Sequence, residues 1–241
     1  MLTVSPITSV MTQKPEAVRN IESNTVTSIW SNPSEYGDFY CPLDVAKKNI
    51  ALIPNSIVEN TGLGFEINLN EKQERELEKI KAHYEKYKDR YIAVSKETGV
   101  PPELVCTIHY LEGHLDFDTY LHNGQKLGSK TTIVPKGVFF KKGQWHEAAV
   151  DALKRKREYI TSDFAQNLEA QLRFTESYNG FGYSNMRKKN PQKYGDLYSP
   201  YVYAGTSLYS KGLFVRDGVF DPNYVFKGVG TAVILDALKQ V

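Results

Sequence analysis

Between Asn70 and Thr98 the apolar side chains of Leu77, Ile80, Tyr84, Tyr87, Tyr91 and Val94 fall on one face of a helix whose other positions are largely charged. Asn70 suits an N-cap, and Gly99 stops the helix. The stripe predicts a surface helix with one buried face; it is too short for a long coiled-coil zipper. Pro101-Pro102 opens a second helix, with Leu104, Val105, Ile108 and Leu111 as its apolar face and Glu112 in its last turn. Over residues 113–140 the pattern changes to Gly, Asn, Thr and aromatic residues, with a turn signal at Asn123-Gly124. That stretch predicts a β-hairpin or an irregular hairpin-like lobe.

Helical spacing returns at Trp145 with Ala148, Ala149, Ala152 and Leu153. It recurs over about 162–177, where Phe164, Leu168 and Leu172 are four residues apart, and in a last helix carrying Val229, Ala232, Val233, Leu235 and Leu238. Ser199-Pro200-Tyr201 opens a short helical or loop segment. Residues 1–69 lack this periodicity, are rich in Ser, Thr, Asn and Pro, and predict a loop-rich N-terminal extension to a main domain at 70–241. The expected class is α+β, mainly α. An acid-bearing helix, a small β-lobe and a bundle of helices in that order would form a cleft with the acid between two lobes.

Charge and composition narrow the function. Thirty basic residues against 28 acidic ones give a net charge of +2, which argues against a nucleic-acid partner. The dense basic run Lys154-Arg155-Lys156-Arg157 reads as a solvated helix end or as an attraction to an anionic cell-wall polymer. Two cysteines make no disulfide framework, and Cys106 reads as a small core residue. The five histidines are scattered without zinc spacing, so neither metal nor cofactor is expected. No apolar window approaches a membrane span, so no membrane insertion is expected. The N-terminus shows no signal-peptide pattern, which predicts synthesis in the cytoplasm and delivery by another route.

The candidate chemistry centres on Glu112, a carboxylate ending an apolar helix, with Glu176-Ser177-Tyr178-Asn179-Gly180-Phe181-Gly182-Tyr183 about 65 residues downstream. Part-burial raises a carboxyl pKa and suits a general acid for a glycosidic bond. A tyrosine–asparagine–glycine shelf grips sugars by stacking and hydrogen bonds. Asp116 and Asp118 are candidate second groups or turn caps. His122 would orient water or substrate, or pack in the lobe; Glu147 reads as a helix-start carboxylate, and Glu176 as a brace for the Tyr178–Gly180 loop.

The stretches Ile108–Glu112, Tyr120–Gly124, Val134–Gly137, Trp145–Leu153, Glu176–Tyr183, Ser199–Tyr201 and Asp217–Gly218 resemble, in order and spacing, the lysozyme superfamily. The resemblance is to the muramidase-like proteins of phages and bacteria related to goose-type lysozymes and lytic transglycosylases, and it covers about residues 100–240. It implies a lysozyme-like fold cleaving the β-1,4 bond between N-acetylmuramic acid and N-acetylglucosamine, with Glu112 as general acid. It further implies catalytic roles for Thr132 and His122, and substrate contacts from Asp118, Asn123, Tyr178, Asn179, Tyr183 and Tyr201. The family's Asp eight residues after the acid is replaced by Tyr120, and Thr131 or Thr132 would serve instead. The implied partner is the glycan strand of peptidoglycan at the bacterial wall or periplasm, in a phage-encoded or virion-associated setting, with residues 1–69 as a docking segment for a phage particle or delivery partner. A catalytically inactive wall-binding protein and a chitinase-like glycosidase are the alternatives, and hydrolysis and transglycosylation both remain open.

Overall fold

The computed structural model describes residues 64–216 and 218–241. The docking role expected for the N-terminal extension therefore falls mostly outside the described residues, as do Cys41 and Asp217. The described residues are mainly helical, with one two-stranded antiparallel sheet, an α+β arrangement dominated by α.

Helix α1 spans Glu71–Thr98. The Asn70 side chain accepts from the Lys72 and Gln73 amides while Gln73 accepts from the Asn70 amide, a reciprocal cap, and Gly99 ends the helix at φ 75°. Tyr87 leaves helical geometry and kinks the helix. The apolar stripe buries Ile80, Tyr84, Tyr91 and Val94. Helix α2, Pro102–Gly113, is the centre of the fold: every residue from Leu104 to Gly113 is buried. A helix covered on all sides needs neighbours on all sides, and α2 lies against α1 and against the C-terminal helix described below.

The chain turns sharply after α2. His114 and Leu115 both take positive φ, 51° and 63°, a region that side chains with a Cβ seldom enter. Gly113 is required by packing: a Cβ there would lie 2.1 Å from the Thr119 hydroxyl oxygen. Over 113–140 the expected turn at Asn123-Gly124 is present, closing a single bridge between Thr119 and Lys126. The strands of a β-hairpin are absent from that stretch, which corrects the first of the two alternatives. Side chains hold several of its backbone groups: Gln125 accepts from the Thr132 and Ile133 amides, and the Tyr120 hydroxyl accepts from the Phe140 amide. Backbone pairs such as Leu127 to Asp118, Gly128 to Phe140 and Thr131 to Val138 link its arms without forming a strand ladder.

Helix α3 is Trp145–Lys154, followed by a 3-10 turn at Arg157–Tyr159. Helix α4, Leu168–Asn179, starts later than its periodicity suggested, because Asn167 caps it and Phe164 packs from the preceding turns. Helices α5 (Gly182–Lys189), α6 (Pro191–Tyr194) and α7 (Pro200–Tyr203) follow. Strands β1 (Leu213–Arg216) and β2 (Val219–Asp221) pair antiparallel, so the sheet lies near the C-terminus and not after the acid. Helix α8, Thr231–Leu238, packs on α1, α2 and α7. Residues 64–69 dock on this body: Phe65 is buried, Ile67 pairs with Thr206, and the Asn68 amide donates to Gly205 at 2.7 Å. No helix among the described residues is long and apolar enough to cross a membrane.

Candidate active site

Glu112 reaches its position because α2 is immobilised along most of its length. Its side chain is 3% exposed, and its Oε1 accepts a hydrogen bond from the Tyr201 hydroxyl at 2.8 Å. Tyr201, itself fully buried, comes from α7, 89 residues away in sequence. Two close approaches bring them together. Gly230 lets the start of α8 touch α7, since a Cβ at that position would lie 2.6 Å from the Ala204 amide nitrogen and 2.7 Å from the Val202 carbonyl oxygen. Thr231 then donates its hydroxyl to the Tyr201 carbonyl at 3.1 Å, fixing the backbone that aims the phenol.

Tyr178 stands beside this pair at the C-terminal end of α4. Its ring is partly exposed and packs on Phe174, but its hydroxyl is sealed from water and has no hydrogen-bond partner among the described residues. Burial, then the charge of Glu112, pushes both phenols well above the ordinary tyrosine range, so both stay proton donors. Asn179 is buried and donates to the Ser199 hydroxyl at 3.2 Å, tying the end of α4 to the residue that precedes α7. Glu176 accepts from Ser184 across the Gly180 turn. Lys156 completes the cluster: its ammonium donates to the Ser177 carbonyl at 2.8 Å and lies 5.7 Å from the centre of the Tyr178 ring. Burial lowers the Lys156 pKa, while Glu158 and Glu112 act in the opposite sense.

The other expected residues are held elsewhere. Thr132 is exposed and exchanges two hydrogen bonds of 2.8 Å with the Gln125 amide. Asn123 is buried and donates to the Ile133 and Val134 carbonyls, which makes it a brace of the lobe. Asp118 is exposed, and its amide is capped by the Asp116 carboxylate, which also takes Lys126. Tyr183 is buried and its hydroxyl accepts from the Phe214 amide, clamping β1 onto α5. Asn123 and Tyr183 thus answer backbone groups, Thr132 is paired with the Gln125 side chain, and the Asp118 amide is capped by Asp116. His122 lies between these cases. Its Nε2 donates to Asp151 at 2.8 Å, and Asp151 also receives Arg155 at 2.7 Å. Burial lowers the His122 pKa against the opposing pull of Asp151, so the ring is neutral near pH 7.

The structure thus joins Glu112, Tyr201, Tyr178 and Asn179 in one cluster. Sequence reasoning missed Lys156, Asp151, Ser199 and Thr231. Asp151 and Arg155 carried a weak signal in their helical i, i+4 spacing, and Lys156 sat inside the noted basic run. Ser199 opened the noted Ser199-Pro200-Tyr201 segment, and Thr231 carried no signal. No family model, curated protein or solved structure matches the chain.

Proposed function

We propose that this protein cleaves the β-1,4 bond between N-acetylmuramic acid and N-acetylglucosamine in peptidoglycan, with Glu112 donating the proton to the glycosidic oxygen. On this reading the acid helix, the irregular lobe and the α4–α8 helices make a lysozyme-like cleft. The observation that carries it is the buried Glu112–Tyr201 pair with the unpartnered Tyr178 hydroxyl beside it. Taking a carboxyl out of water favours its neutral form, the form a general acid must hold. Tyr201 fixes one carboxyl oxygen by donating to it, which sets the orientation of the acid before substrate arrives. Tyr178, partly exposed, offers a sugar part of its ring. Charge agrees with an anionic polymer: residues 119–146 contain five lysines and no acidic residue.

The fate of the oxocarbenium-like centre divides the reading in two. Asp116, the nearest downstream acid in sequence, is engaged by Lys126 and the Asp118 amide, and Thr132 by Gln125. That engagement favours capture by the sugar's own muramic hydroxyl, which gives an anhydro product, over attack by an activated water. The test is turbidity loss of purified peptidoglycan, with chitin as control. Glu112→Gln is expected to abolish clearing, and a variant that clears at the wild-type rate overturns the assignment. Mass spectrometry of the released muropeptides then reads the route: anhydro ends mean transglycosylation and reducing ends mean hydrolysis.

A further inference from the structure

Between Asp118 and Glu147 the only charged side chains, histidines aside, are Lys126, Lys130, Lys136, Lys141 and Lys142. All five are exposed, and among the described residues Lys126 alone has an ion-pair partner, Asp116. The other four lie on the arms and tip of the lobe. The Gly128 amide donates to Phe140 and the Thr131 amide to Val138, which holds the two arms side by side. Thr131 also closes the tip: its carbonyl accepts from the Gly137 amide, and its hydroxyl donates to the Pro135 carbonyl. Val138 and Phe140 pack against the core, and Phe139 between them is left outside. At 49% it is the most exposed large apolar side chain of the described residues, and the one phenylalanine among them in contact with so much water. Val134 at the tip is 41% exposed. Cations flank both. Lys130 lies opposite Phe139 between the two backbone bonds, and Lys141 follows it two residues on. The Lys142 stem crosses Gly128, where a Cβ would lie 3.1 Å from its Cγ, and Lys136 sits beside Val134 in the tip.

A scattered exposed apolar side chain needs no explanation. An aromatic and an aliphatic group at one end of a lobe, set among four unpaired lysines, combine two signals that point to one kind of surface. Apolar groups gain by leaving water, while lysines gain by keeping their heads among anions with their stems along apolar surface. A bilayer with anionic headgroups offers both within a few ångströms of depth. We propose that the outer side of this lobe is a docking surface for an anionic phospholipid bilayer. Phe139 and Val134 enter the boundary between headgroups and acyl chains, and Lys130, Lys136, Lys141 and Lys142 lie among the headgroup phosphates. This is adsorption at the interface and needs no spanning helix. A nucleic acid fits less well: the patch has no arginine for bidentate phosphate contacts, and Val134 has no ring on which a base could stack. A hydrated wall polyanion would use the lysines and leave both apolar groups in water. None of these residues belongs to the Glu112 cluster, so the inference does not depend on the chemistry proposed above.

The experiment sediments the whole chain with vesicles of phosphatidylcholine and phosphatidylglycerol at about 3:1, with pure phosphatidylcholine vesicles, and with purified peptidoglycan, all in about 0.1 M salt. Wild type is expected to bind the anionic vesicles about a hundredfold more tightly than the neutral ones. One lysine near an anionic surface contributes about fivefold, so Lys130→Gln with Lys141→Gln is expected to weaken that binding about 25-fold. Phe139→Ser is expected to weaken it about tenfold, and Phe139→Trp to retain it. The control, Lys188→Gln with Lys189→Gln, removes the same charge from the exposed end of α5 and is expected to stay within about twofold of wild type. Absence of binding to anionic vesicles overturns the proposal. Equal losses in the two double variants would mean attraction by bulk charge, and also overturn it, as does unchanged binding by Phe139→Ser. Lobe substitutions that weaken sedimentation with peptidoglycan but not with vesicles assign the lysines to the wall polymer and overturn the lipid surface.

Discussion

Helix α2, which carries Glu112, contains a built-in acid weakness at His109, one turn before the acid. The His109 ring is 0% exposed, its Nδ1 lies 2.9 Å from the Tyr91 hydroxyl, and the rings of Phe117 and Trp145 are each 4.7 Å away. Burial, opposed by backbone contact with Asp116, pushes the imidazole down to about 3. An unfolded histidine takes up its proton near 6.5. The folded pKa is the lower one, so the unfolded chain binds more protons between these values and stability falls as the pH drops. The contribution is fully present above pH 6.5 and is lost progressively down to about 3, at roughly 1.4 kcal/mol per pH unit. From pH 7 to pH 4.5 this amounts to about 2.5 kcal/mol, a large share of a net stability of about 5–15 kcal/mol. The assay is urea unfolding of wild type and His109→Phe at pH 7, 5.5 and 4.5. His83 and His122, also lowered chiefly by burial, act in both proteins, so the difference isolates His109. The variant is expected to lose about 2.5 kcal/mol less than wild type over that range. Parallel loss of stability in the two proteins refutes the reasoning.

Other outcomes follow from the same contacts. Tyr201→Phe removes the hydrogen bond to Glu112 and is expected to cost about 1.5–3 kcal/mol in urea unfolding and to lower kcat more than it raises KM on peptidoglycan. Gly230→Ala forces a Cβ against two backbone atoms of α7 and is expected to destabilise by about 1–3 kcal/mol, with loss of activity, measured by the same melts and by clearing. Tyr178→Phe deletes a buried hydroxyl without a partner and is expected to raise stability by about 1 kcal/mol while reducing cleavage; a fall in stability would show that the hydroxyl is satisfied in solution.

The helices were legible where local chemistry and tertiary packing agree. Asn70 and Gly99 bound α1 through caps made by neighbours in sequence, and Pro101-Pro102 announces α2. Legibility ended where backbone groups are satisfied at a distance. The lobe after Glu112 offered strand-like composition and a true Asn-Gly turn, yet Gln125, Tyr120 and Asn123 take the bonds that a partner strand would have made. Helix α5 was missed because Gly182–Lys189 is nearly all polar, with Tyr183 its one buried residue. At the site, Glu112 was visible as a carboxylate in an apolar helix. Tyr201 was named as a substrate contact, but its bond to Glu112 was not foreseen, because that contact depends on Gly230 allowing α7 and α8 to touch, and nothing in local spacing encodes that approach.

A core built for stability alone would not choose these residues. Position 112 lies between Leu111 and Gly113 on a buried helix, and a leucine there would bury surface without desolvating a carboxyl, whose burial costs several kcal/mol unless compensated. Position 178 carries a hydroxyl that the fold leaves unanswered, where phenylalanine would keep the contact with Phe174. Both departures occur at one place, and Lys156, whose charge also favours water, joins them there. Asn123 and Tyr183, by contrast, are each buried and each hydrogen-bonded to backbone. Glu112, Tyr178 and Lys156 come from α2, α4 and the turn after α3, so the cluster on which the proposed chemistry rests is assembled by tertiary packing and not by any one segment.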